Sequence, residues 1–237
     1  DDRPYFFRFF RWRTLPELLA LKAQGGLPLL EWGYPVLVAT LLQALVASAV
    51  LILLPLAIQA RRACAPALAW RTQGRVAAYF GALGLAFMFV EIAFIQKFVL
   101  FLAHPLYAVA VVLCAFLVFA GLGSRYAERL RPGGDSPWKR PVVRAVVAIG
   151  TLSLLYLAAL PSIFRVLMPL PDAARIVFSI ALVAPLAFAM GIPFPTGLAR
   201  LAHLKGEGEA LIAWAWGINA CASVVAAILA TLLAIHL

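Results

Sequence analysis

The chain has 237 residues, 65% of them hydrophobic and 13% charged, with a mean hydropathy of +0.98 and a net charge of +10. A soluble domain is about 45–50% apolar and about 25% charged, and surface limits how much excess a compact core can hide, so an ordinary soluble fold is excluded. The basic residues cluster in short loops beside apolar segments, where membrane orientation and anionic lipid account for them; this excludes the nucleic-acid reading that such a charge invites on a soluble protein.

The opening Asp1-Asp2-Arg3 has no initiator Met and no short apolar core, so it reads as the interior of something longer or as a processed end. Residues 1–13 alternate aromatic and basic side chains, with five aromatics between Phe6 and Trp12. Aromatic rings favour the headgroup level and Arg reaches phosphate from there. Arg8, Arg11, Trp12 and Arg13 are therefore candidate lipid-interface residues, the plainer reading being a basic linker. Thr14 and Glu17 can cap a short helix, with Pro16 tolerated in its first turn; it should run to about Gln24 and stop at Gly25-Gly26. Residues 1–32 are taken as an interfacial segment and 33–237 as a six-helix transmembrane domain.

The first span is predicted from Tyr34 to about Ala60, with Gln43 as its one strongly polar residue and a bend at Pro55. The second runs from about Val76 to Phe101 and the third from Pro105 to about Ser124. Their few-residue connection implies a tight antiparallel hairpin, with Pro105 at a first helical position. A charged loop with a turn at Pro132-Gly133-Gly134 follows. The fourth span is predicted from about Val143 to Leu160, closed by Pro161. The fifth runs from about Ala173 to Gly191 and is broken by Pro193 and Pro195. The sixth runs from about Leu211 to Ile235. Each is long enough for a hydrocarbon core of about 30 Å, and no segment alternates as barrel strands do. The fold class is thus an all-α polytopic membrane bundle of about six transmembrane helices with an N-terminal interfacial segment.

Loops 61–75, 124–144 and 199–209 share one side and hold four, six and two Lys/Arg. The N-terminal segment and loop 162–175 share the other, with five and two. The positive-inside bias places the first set in the cytoplasm, although the basic N-terminus pulls the other way.

Glu91 is the sharpest candidate for chemistry. It lies 16 residues past Arg75, about 24 Å along a helix. An ionised acid at that depth must face the bundle, pair or be protonated. Gly84, seven positions earlier, lies on nearly the same face, and Gly81 and Gly84 let another helix approach. Glu91 can be a cation or proton site, or a structural hydrogen bond between helices. Lys97 is about 120° around the helix from it and can snorkel to the interface. Asn219 and Ser223 form an i, i+4 polar stripe on the sixth span. Interhelical hydrogen bonding explains them, and Asn219 is a candidate partner for Glu91. The proline break frees carbonyls of the kind that transporters use, or simply stops the helix at the surface.

Cys64, Cys114 and Cys221 show no CxxC or zinc spacing and read as free structural thiols. His104, His203 and His236 lack metal-ligand spacing. Gly121-Leu-Gly123 follows a helix and is no dinucleotide fingerprint. No nucleophile–base pair or carboxylate pair is visible. No metal, cofactor or catalytic residue is expected, and the chain by itself reads as non-catalytic.

The run FMFVEIAFIQKFVLFLAHPLYAVAVVLCAFLVFAGLGS resembles the membrane region of bacterial spermidine-synthase-like proteins. There a helix with an intramembrane Glu and a following basic residue leads through a short turn to a helix ending in a GLGS-type stretch. MGIPFPTGLARL and WAWGINACASVVAAILA resemble the family's last two helices, and DDRPYFF is similar to the sequence after its soluble aminopropyltransferase-like domain. The resemblance implies a bacterial inner-membrane module that accompanies a Rossmann-type domain, with the lipid bilayer and other protein subunits as partners. The aminopropyl-transfer residues lie in that soluble domain, so none is carried over. A weaker likeness is to half of a major-facilitator transporter, on six helices and a basic loop after a Gly-rich helix end. That likeness makes a proton or cationic-amine transporter with Glu91 as binding acid the alternative function.

Overall fold

The structure, a computed structural model, describes residues 33–50, 54, 58, 70–129, 139–203 and 208–236. The interfacial segment 1–32 lies outside these residues, and with it Arg8, Arg11, Trp12 and Arg13; so do Pro55, Cys64 and the turn at 132–134. The described residues form helices and no strand: α1 (Gly33–Ser48), α2 (Trp70–Leu102), α3 (Pro105–Arg129), α4 (Lys139–Leu167), α5 (Asp172–Met190), α6 (Pro193–Ala202) and α7 (Gly208–His236).

Five segments are long and apolar enough to cross a membrane: Thr72–Leu102, Pro105–Arg129, Arg140–Leu167, Asp172–Ala202 and Leu211–Leu233. Val36–Ser48 in α1 is a shorter apolar helix. Many outward-facing side chains are large and apolar, among them Leu106, Leu157 and Val166 at 81%, 76% and 76% exposure. Water would not tolerate so much contiguous apolar surface, whereas lipid chains match it. The molecule is a helical, multi-pass membrane protein.

Several helices extend past the predicted ends. The second and third spans lengthen to Trp70 and Arg129. The fourth is not closed by Pro161, because α4 continues through it to Leu167. Proline removes one intrahelical bond and forces a bend, but an apolar medium offers the chain no better partner for its backbone than the helix itself. The fifth helix does end where expected, at Met190 with Gly191 as its C-cap, but the apolar segment goes on to Ala202. After a two-residue break at Gly191 and Ile192 the chain resumes as α6, with Pro193 at the first position, where its missing N–H costs nothing.

The α2–α3 hairpin is as tight as its sequence implies, with only Ala103 and His104 between the helices. Ala108 N–H donates to His104 O at 3.0 Å to start α3. Ala103 has φ 59°, the left-handed conformation that ends many helices and that glycine usually fills.

Packing orders the bundle. α2 lies along α7 and also touches α3, α5 and α6; α1 packs on α7; α4 packs on α5 and α6. Some 39% of the α5–α6 window is buried against 11% of the α4 window, so α5–α6 is central and α4 peripheral. One apolar cluster joins Val76 and Phe80 of α2 to Leu201, Leu211 and Ala215. A second joins Phe94 and Phe98 of α2 to Phe116, Tyr156, Val183 and Leu186. α2 therefore gives its first half to α6 and α7 and its second half to α3, α4 and α5.

Two glycine contacts set the closest approaches. A Cβ on Gly123 would lie 2.0 Å from Phe188 O, and one on Gly191 would lie 2.1 Å from Ala120 O. Each glycine thus rests on the carbonyl three residues before the other, and α3 and α5 cross in parallel with backbones in contact. On Gly84 a Cβ would lie 2.6 Å from Asn219 O and 2.9 Å from Ser223 Oγ. Residue numbers rise together along this contact, so α2 and α7 also run parallel.

Candidate functional site around Glu91

Charged residues bracket the helices at similar intervals. Arg75 and Lys97 are about 33 Å apart along α2, and Arg144 and Arg165 about 32 Å along α4, at 1.5 Å per residue. Both match a hydrocarbon core of about 30 Å. On this scale Gly84 is near the middle, and Glu91 is about 9 Å inside the Lys97 level.

Glu91 is 5% exposed. α2 passes from the first cluster to the second between Leu83 and Phe87, so Glu91 lies within the stretch of α2 that serves the second, flanked by Phe87, Val90 and Phe94. The residues around it explain that placement. Gly84 and Gly81 leave room for α7, and the phenylalanines three and seven positions after Glu91 fill the α3–α5 side. Among the described residues no hydrogen bond or ion pair reaches its carboxylate. The acid is held off the lipid by shape alone.

The other candidates do not converge on it. Asn219 and Ser223 come together against Gly84, about 10 Å along the axis from Glu91. Ser223 Oγ donates to Asn219 O at 2.9 Å, one turn back in its own helix, and the proposed Asn219–Glu91 bond does not form. Lys97 is exposed, on the outside of the bundle. Cys114 is exposed and Cys221 half-buried, both as free thiols, with Cys221 Sγ 3.7 Å from Ser48 O. Among the described residues no cluster of His, Cys, Asp and Glu has the form of a metal site.

The proline break is neither a free carbonyl site nor a plain stop. Thr196 Oγ1 donates to Ile192 O at 2.8 Å, and Ile192 N–H donates to Ala189 O at 3.3 Å. Tyr79 of α2 donates its hydroxyl to Pro193 O at 2.8 Å, while Gly197 lies against the rings of Tyr79 and Phe80. The joint is thus fastened to α2.

Two polar residues that matter were not singled out in the sequence. Tyr79 reaches a carbonyl 114 positions away, and nothing local announces such a pair. Arg175 read as a loop charge, yet its Nη1 donates to Phe101 O at 3.0 Å and its Nη2 pairs with Asp172. It thereby caps the carbonyl end of α2, where a cation is favourable, from the first turn of α5. Its place one turn into an apolar helix, beside an acid at i−3, is the one signal that could have marked it.

Among the described residues, helices, an apolar outer surface and a buried acid define a multi-pass membrane bundle. No protein-family model matches the chain, and neither does any curated protein or any solved structure.

Proposed function

We propose that this chain is a non-catalytic membrane module of a bacterial inner membrane, anchoring and organising a partner subunit or a Rossmann-type domain. The observation that carries this reading is the way the bundle is filled. Backbone meets backbone at Gly123 and Gly191, and Gly84 closes on Asn219 and Ser223. Such contacts favour a rigid platform over a pathway. Among the described residues the polar side chains of the spans are dispersed: Glu91, Asn219 with Ser223, and Tyr79 lie at separate places along the bundle. The resemblance to the membrane region of spermidine-synthase-like proteins supports the same assignment. Gentle extraction from native membranes, followed by sizing and identification of what co-purifies, tests it. A stoichiometric protein partner is expected, and a lone monomer defeats the proposal.

Glu91 favours a second reading, a proton or cationic-amine transporter. A buried acid with no partner among the described residues is the kind of group that such proteins use. Reconstituted vesicles should then take up the amine or the proton, and Glu91→Gln should abolish the uptake. No uptake by the parent chain, or undiminished uptake by the variant, ends that reading.

A further inference from the structure

Glu91 lacks the partner that lets an ionised carboxyl lie at depth in a bilayer. It is 5% exposed, and no hydrogen bond or ion pair reaches it among the described residues. The titratable groups of the surrounding spans are turned elsewhere. On α2 itself Lys97 is exposed, and Tyr79 donates to Pro193 O about 18 Å back along the axis. On α3 Cys114 is exposed, and on α4 the Tyr156 hydroxyl donates to Leu182 O. On α5 Arg175 is engaged by Phe101 O and Asp172, and on α7 Cys221 Sγ turns to Ser48 O.

The surroundings of the carboxyl are apolar. Phe87, Val90 and Phe94 flank it on α2 within the second cluster. The Gly84 contact fixes the register of α2 against α7 at Asn219 and Ser223. Seven residues further along both parallel helices, Glu91 stands level with Ala226 and Ala230, which are 0% and 7% exposed. At that level α7 thus offers methyl groups. The aromatic rings are engaged with each other: Phe87 meets Phe116 at 5.7 Å, and Phe94 meets Phe98, Phe116 and Tyr156 at 5.8, 5.8 and 5.6 Å. They pack as a core and not as a cage around an ammonium group.

We infer that Glu91 is a proton-binding site, and that the proton is the one cation it takes. The number of partners each cation needs decides this. An alkylammonium ion brings three N–H donors, and Ca²⁺ or Mg²⁺ takes about six or more oxygens. A lone carboxylate supplies two, and the acids Glu128, Asp172 and Glu209 sit at helix ends, away from it. Among the described residues no group of acids, histidines and cysteines forms around it. A proton needs one oxygen only. It forms an O–H bond on the carboxylate itself, and apolar surroundings tolerate the neutral acid far better than a bare charge or a poorly satisfied ion pair. The inference deepens the transporter reading by naming its cation, and it rests on that reading for any movement of the proton; occupancy of the site does not.

The test uses the full chain in lipid vesicles buffered near neutrality. The infrared difference spectrum between the parent and Glu91→Gln should show the carbonyl stretch of a protonated carboxylic acid in the parent and its complete loss in the variant. A carboxylate band in its place overturns the inference. A second measurement needs no variant: in the unaltered chain, glutamate labelled with heavy carbon at the side-chain carboxyl should shift the same acid band, and the absence of a shifted band overturns the inference too. Adding an alkyl diamine should leave the acid band unchanged. Its conversion to a carboxylate band would make the amine the ligand, which overturns the proton assignment and keeps the transporter reading. Proton flux down an imposed pH gradient should fall to the protein-free level in Glu91→Gln. An acid band without flux of proton or amine upholds the site and ends the transporter reading instead.

Discussion

Ala103 holds a left-handed backbone, φ 59°, with a methyl group attached. The strain of that conformation in an L-residue is about 1–2 kcal/mol, and glycine removes it while losing more chain entropy on folding. Ala103→Gly should therefore raise stability by about 0.5–1 kcal/mol, seen as a higher midpoint of thermal unfolding in detergent. An unchanged or lower midpoint would mean that the hairpin relaxes around Ala103. The two glycines of the GLGS stretch make a sharper pair. Gly121 has nothing within 4 Å of where a Cβ would lie, whereas at Gly123 a Cβ would fall 2.0 Å from Phe188 O. Gly121→Ala should be neutral or stabilising by up to about 1 kcal/mol, from helix propensity. Gly123→Ala should lose about 3 kcal/mol or more by forcing α3 off α5. Paired unfolding curves decide it, and equal effects would deny the backbone contact. The sequence marked these glycines together, because periodicity along one helix does not say which face will meet a neighbour.

At the scale of the element, prolines were legible as interruptions and illegible in their consequence. Rules drawn from water make Pro161 and Pro193 end helices. In lipid the backbone has nowhere else to bond, so α4 continues through Pro161 and α5 restarts as α6. The restart depends on a contact from elsewhere, the Tyr79 hydroxyl on Pro193 O. Tyr79→Phe keeps the ring against Gly197 and removes only that bond, so the loss should be about 1 kcal/mol. Hydrogen exchange should quicken in residues 194–202 more than in α3. Uniform exchange, or none of the expected loss, would show that the joint holds without it. The buried position of Glu91, by contrast, was readable beforehand. Gly84 at a seven-residue spacing says which face is covered, although not that α7 covers it.

For the whole molecule, alternation of spans puts Arg75, Arg125, Arg144 and Arg200 at one end and Lys97, Arg165 and Arg175 at the other. The positive-inside bias assigns the first end to the cytoplasm. With the native cysteines replaced by serine, a cysteine at Asp172 should react with an impermeant maleimide in intact cells, and one at Arg129 should be protected. The reverse pattern inverts the topology. Helix class and the approximate spans followed from composition and run length. Which spans adjoin did not, because lipid-facing and buried surfaces are equally apolar here and leave little amphipathic signal.

The most extensive partnership among the described residues joins α2 to α7, helices far apart in chain order. A ribosome adding about 5–20 residues per second finishes α2 on the order of ten seconds before α7 emerges. Throughout that interval the Gly84 side of α2, which Glu91 shares, lacks the helix that packs on Gly84. A nascent chain must keep that carboxyl shielded, by the translocation machinery or by a protein waiting in the membrane, until α7 slides into place. Assembly is thus arranged so that a helix made later seals a polar surface made earlier, and a chain cut short before Gly208 should be handed to proteolysis instead of persisting as a smaller bundle.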